Sequence, residues 1–127
     1  MAVVMLGSPL SAVADDHTWP AGDAERGRAI ALSRSQGLCI LCHSMPGAAL
    51  HESGTVGPDL AGVASRLSAQ ERRQRLLHPE RFNPDTLMPS YGSSSRTGQR
   101  VAPSRQNQPL LDAQGLADVL AWMATLR

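Results

Sequence analysis

An all-α domain with long connecting loops is what this sequence predicts, and three observations predict it. Three stretches carry helix caps with apolar periodicity, and no stretch alternates apolar and polar side chains for long enough to argue a sheet. Eleven glycines and nine prolines fall mostly in the connections between those stretches. The 127 residues suffice for one domain and not for two comfortable ones. With 42% apolar and 18% charged residues the chain reads as globular.

The first helix opens at Asp23, a capping residue before Ala24, Gly27, Ile30 and Ala31, and is expected to stop near Gly37. The second opens at Ser68-Ala69-Gln70-Glu71, where Ser68 and Glu71 can satisfy each other's orphan backbone donors, and runs to about His78 because Pro79 cannot continue it. Its Arg72, Arg73 and Arg75 read as a solvated face. Asp112 opens the third, in which Leu116, Val119, Leu120 and Met123 form one apolar stripe. Gly115 stands where a glutamate would have completed a capping box. Residues 89–109 form a long Pro-, Ser- and Gly-containing loop, expected to be functional or partner-facing.

Residues 1–14 carry no charged side chain and end in Ala12-Val13-Ala14, a small-x-small pattern that predicts a secretory signal peptide cut before Asp15, its start truncated relative to a longer signal. The single domain then spans 15–127, exported to the periplasm. Twelve basic residues, all arginine, against eleven acidic ones leave a net charge of +1. That removes the electrostatic case for non-specific nucleic-acid binding. No apolar run approaches the roughly 18 residues of a membrane span.

Aromatic residues are scarce: Trp19, Phe82, Tyr91 and Trp122 are all there are. A small domain with so few large side chains needs a staple, a metal or a prosthetic group to complete its core. The only two cysteines stand in Cys39-Ile40-Leu41-Cys42-His43, the C-x-x-C-H attachment sequence for c-type haem. At about 3.6 residues per turn, Cys39 and Cys42 share a face, so both thiols can add to the two vinyl groups of one porphyrin. His43 follows on the same side and can reach the iron as proximal ligand. A zinc site would want four Cys/His ligands, with only His17, His51 and His78 to complete it. A thioredoxin-like pair would want a βαβ setting, and a plain disulfide would close a short loop and leave His43 unexplained. One covalent haem c is therefore the expected cofactor, and its buried apolar body would supply the missing core.

Among second axial ligands, Met1 and Met5 would leave with the signal, Met45 is too near His43 to cross the ring, and Met123 belongs to the apolar stripe. Met88, in Asn83-Pro84-Asp85-Thr86-Leu87-Met88-Pro89, is the preferred candidate, because a loop stiffened by two prolines presents its thioether at little entropic cost. His51, His78 and an open position stay as alternatives. A His/Met pair favours electron transfer over substrate binding at iron. Gly57-Pro58-Asp59-Leu60 is expected to make a rigid turn with Pro58 behind the His43 ring, and Gly27 is expected to let the first helix cross the last closely at Trp122.

Together these positions resemble a class I cytochrome c over most of residues 22–127. The narrower resemblance is to the SoxX family, monohaem subunits of the SoxAX cytochrome of sulfur oxidation. It rests on Gly22-Asp23-Ala24-Glu25-Arg26-Gly27, on Arg81 to Tyr91 through Met88-Pro89, and on Val101-Ala102-Pro103 to Pro109-Leu110-Leu111. The resemblance implies Cys39 and Cys42 as thioether attachments, His43 as proximal and Met88 as distal ligand, with no catalytic residue on this chain. It also implies a heterodimer with a SoxA-like haem subunit, in an L-cysteine S-thiosulfotransferase complex that couples thiosulfate oxidatively to a carrier-protein cysteine. This chain would accept the electrons and pass them to a downstream small cytochrome c. The stretch Tyr91 to Arg100 is more polar than that family leads one to expect, which implies a polar contact there or a contact made elsewhere. The alternatives are a free-standing periplasmic electron shuttle and, with an open sixth position, a gas sensor. The all-arginine basic complement suits fixed bidentate contacts better than a lysine ring would. It equally fits a nucleotide bias in the source genome, so the subfamily resemblance decides the preference.

Overall fold

A computed structural model describes residues 19–92 and 102–127. The expected signal peptide, His17 and most of the polar stretch before Arg100 lie outside them. Four helices, α1 (Ala24–Leu32), α2 (Val63–Arg66), α3 (Ala69–Leu77) and α4 (Ala113–Thr125), are joined by loops that hold short 3-10 turns at Cys39–Leu41, Leu50–Glu52, Pro79–Arg81 and Pro103–Arg105. No strand occurs among the described residues, and no helix of them is long and apolar enough to cross a membrane.

Helix α1 begins as the sequence predicts: the Asp23 carboxylate accepts the Arg26 N–H at 2.8 Å. It ends earlier than Gly37. The Ser33 hydroxyl captures the N–H groups of Ser35 and Gln36, at 3.2 and 3.1 Å, and this local competitor stops the helix at Leu32. Gly37 then folds back to donate to Ile30 O at 3.1 Å, where any Cβ would meet that carbonyl.

Helix α4 crosses α1 as expected, with the fit supplied by glycine. A Cβ on Gly27 would collide with the Asp118 carbonyl and lie 2.9 Å from Trp122 Cβ, and one on Gly22 would strike the Ala117 carbonyl. Beyond the predicted stripe, α4 also buries Ala117, Asp118 and Trp122, while Leu120 is only half-buried. Gly115, itself buried, gives its N–H to the Asp112 cap at 2.7 Å.

Asp118 is the unexpected member of this interface. Its side chain is 3% exposed and accepts Arg26 Nε at 2.8 Å, Arg26 Nη2 at 3.0 Å, the Asp23 N–H at 2.8 Å and Gln114 Nε2 at 2.9 Å. The Arg26 guanidinium first, and the Asp23 and Gln114 donors after it, pull its carboxyl down to about 2 against burial that pushes it up. A carboxyl depressed on folding contributes stability above its unfolded value, 3.8, that is lost as pH falls toward 2. Asp118→Asn is therefore expected to be less stable at neutral pH and to lose the wild-type decline in urea midpoint between about pH 4 and 2. Parallel pH profiles for the two proteins would count against the assignment.

Helix α3 carries the predicted capping box: Ser68 N–H donates to Glu71 Oε2 at 2.8 Å and Glu71 N–H to Ser68 Oγ at 3.2 Å. Its arginines do not form a solvated face. Arg72 is 7% exposed and donates from Nη1 to Leu67 O at 2.6 Å. Arg73 lies 4.3 Å from the Trp19 ring centroid and Arg75 4.2 Å from that of Phe82. The guanidinium plane is weakly hydrated and stacks on aromatic faces, which explains why these side chains fold down instead of extending into water. The short helix α2, which starts after a left-handed Gly62 (φ 70°), was not expected; its Ala64 N–H docks on Leu126 O at 2.9 Å.

Candidate functional site

The motif Cys39 to His43 follows α1 through Leu38, held in the left-handed region at φ 62°. Both cysteines are free thiols and half-buried. The α-helical turn expected here is a single 3-10 turn, with Cys42 N–H donating to Cys39 O at 3.1 Å and His43 N–H to the same carbonyl at 2.9 Å. Beyond it the Ile40 and Cys42 carbonyls accept from another segment. Gly54 N–H donates to Ile40 O at 2.8 Å and Gly57 N–H to Cys42 O at 2.7 Å, which lays residues 54–57 across the motif. That approach requires glycine: a Cβ on Gly54 would collide with Leu41 O. Gly54 was missed in the sequence, although the pair Gly54 and Gly57 three apart beside the motif was its signal.

His43 is fixed from two sides. Its Nδ1 lies 2.6 Å from Pro58 O, so Nδ1 carries the proton and donates, leaving the Nε2 lone pair free. The predicted backing by Pro58 is thus made through its carbonyl. Gly57 lies against the flat of the ring, where a Cβ would be 2.6 Å from Nδ1 and 2.8 Å from Nε2.

The Cys39 thiol sits 3.5 Å from Gly37 O, and burial raises its pKa, with the Tyr91 hydroxyl partly opposing. Tyr91, 4% exposed, donates its hydroxyl to the same Gly37 O at 2.6 Å, and burial followed by the neighbouring Cys39 raises its own pKa.

Met88 is half-buried and packs against the core. Its loop is ordered by Asn83, whose side chain accepts the Asp85 N–H at 3.0 Å and whose carbonyl accepts the Thr86 N–H at 3.1 Å; Thr86 Oγ1 then accepts the Met88 N–H at 3.1 Å. Beyond it, Ser90 Oγ donates to Leu77 O at 2.6 Å and Tyr91 N–H to Leu76 O at 2.9 Å. Of the other candidates, Met45 and Met123 are buried in the core, His51 is exposed, and His78 Nδ1 lies 3.5 Å from the Glu80 carboxylate. Among the described residues no three His, Cys, Asp or Glu side chains gather as a metal cluster would. Exposed apolar side chains occur at Leu41 within the motif, Val56 in the segment crossing it, and Leu87 beside Met88.

A helical domain with no strand among the described residues, in which α1 and α4 cross beside a C-x-x-C-H turn, is an all-α, class I cytochrome c fold. No protein-family model matches the chain, and no curated protein does. Among solved structures it is similar to the crystal structure of SoxXA from P. pantotrophus, with a TM-score of 0.70 and 25% sequence identity over 84% of this chain and 83% of that one. The chain is thus SoxX-like, and the fold is that of a SoxX-like cytochrome subunit.

Proposed function

We propose that this chain is a monohaem c-type cytochrome that takes up electrons within a SoxAX-like complex oxidising thiosulfate. The observation that carries the reading is His43, whose Nδ1–H is committed to Pro58 O while Nε2 is left free, in a turn whose two cysteines form no disulfide. Those residues fit the group: Cys39 and Cys42 would hold haem through two thioether bonds, and His43 would bind the iron from one side. Met88, on a loop ordered by Asn83 and Thr86, would bind it from the other. When bound, such a haem takes up and releases one electron at a time. The protein's own contribution is to keep the ligand geometry unchanged between the two redox states, through the Pro58 bond and the stiffened Met88 loop, so that transfer carries little reorganisation.

Two electrons and a proton leave when thiosulfate joins a carrier-protein thiol through a new S–S bond, and this chain would carry those electrons away. The site where that bond forms would lie on a SoxA-like partner, since Cys39 and Cys42 are committed to haem. Export to the periplasm, with cleavage before Asp15, belongs to the same reading.

Met88→Ala is expected to retain covalent haem by mass and to lose the low-spin six-coordinate spectrum; an unchanged spectrum would remove Met88 from the ligand set. Native mass spectrometry of the protein isolated from its source tests the assembly. A one-haem chain starting near Asp15 and bound to a second haem subunit is expected, whereas a solitary one-haem monomer would favour the free shuttle.

A further inference from the structure

Deepening the haem reading and resting on it, we infer that Tyr91 is a positioning residue whose buried hydroxyl locks the Met88 loop to the cysteine turn. Tyr91 stands three residues after Met88, with the rigid Pro89 between them. Three elements meet on it: its N–H donates to Leu76 O at the end of α3, its carbonyl accepts the Leu111 N–H ahead of α4, and its hydroxyl donates to Gly37 O two residues before Cys39. Among the described residues this hydroxyl is the group that joins residues 82–92 to residues 37–43 by hydrogen bonding, at the Gly37 carbonyl and at the neighbouring Cys39 sulfur. Gly37 is itself held by its bond to Ile30 O, so the hydroxyl ties the loop to a fixed point.

The consequence is chemical. A thioether is a neutral ligand that stays on iron by virtue of its local concentration, and a loop free to swing away lowers that concentration. The Tyr91 hydroxyl limits the swing by fixing the loop to the segment that would carry the cysteine attachments. Removing it also leaves the buried Gly37 carbonyl without this partner, which penalises the closed arrangement further.

The test uses the holoprotein with imidazole as a competitor for the iron position of Met88, followed by loss of the thioether-to-iron charge-transfer absorption. Tyr91→Phe retains the ring and its packing and removes only the hydroxyl. It is expected to bind imidazole about tenfold more tightly than wild type, the equivalent of about 1.4 kcal/mol. Ser90→Ala, which removes a bond from the same segment to Leu77 O, is expected to shift the affinity less than about twofold, because that bond leads to α3 and not to the cysteine turn. Equal affinities for wild type and Tyr91→Phe, or equal shifts in the two variants, would overturn the proposal. A wild-type protein with no charge-transfer absorption would instead overturn the Met88 ligation, and the role of Tyr91 would fall with it.

Discussion

Gly27→Ala is expected to lower folding stability by about 3 kcal/mol, the upper end of what overpacking costs, and to move the urea midpoint accordingly. Two effects oppose each other at this position. Alanine in place of glycine inside a helix gains about 1 kcal/mol of propensity, which alone would make the variant more stable. The added methyl, however, would collide with the Asp118 carbonyl and lie 2.9 Å from Trp122 Cβ. Neither is the flexible end of a side chain, so relief requires α1 and α4 to separate. Separation strains the bonds of Arg26 and Asp23 to Asp118 and loosens the packing of buried Trp122. A midpoint equal to or above that of wild type would mean that the crossing opens at little cost.

Gly57→Ala is expected to damage the site more than the fold. Its Cβ would fall within van der Waals contact of the His43 imidazole, 2.6 Å from Nδ1, and force the ring off the Pro58 carbonyl. Because Gly57 does not have a positive φ, alanine is conformationally allowed there and the clash with the ring is the whole effect. The variant should carry covalent haem, lose most of the His43-ligated low-spin signal, and drop in stability by about 1–3 kcal/mol. Gly62→Ala supplies the contrast. At φ 70°, with only Arg66 Nη1 at 3.2 Å from the new methyl, it should lose about 1 kcal/mol to backbone strain and leave the haem spectrum intact. Matching spectra for the two variants would remove Gly57 from the support of His43.

The caps were legible in the sequence because they are local. Asp23, the Ser68–Glu71 pair and Asp112 each act within three residues of themselves, and each does so in the structure. The C-x-x-C-H motif and the proline behind His43 were legible for the same reason: the backing turn is only 15 residues from the ring it holds. Gly27 opposite Trp122 could be read as small against large. The burial of Asp118 could not, since a lone aspartate on an amphipathic helix reads as its polar face, and its partners Arg26 and Asp23 lie 92 and 95 residues away. The arginines of α3 misled for a related reason. Their charge argues for water, and only Trp19, from 54 positions away, and Phe82, folded back by the turn after α3, supply the flat faces on which they settle. Tyr91 was visible as a residue, but its bond to Gly37 spans 54 positions and has no local signature.

The crossing of α1 and α4 also dictates when the molecule can take shape. The two helices have 9 and 13 residues, lengths at which an isolated helix is marginal in water. Each depends on the other for its buried face, yet Asp118 follows Arg26 by 92 residues. The burial of the α1 face therefore waits on a long-range contact, and the Cys39–His43 segment lies between the two helices that must meet. Docking of α4 on α1, rather than the formation of either helix, is the event that closes the core.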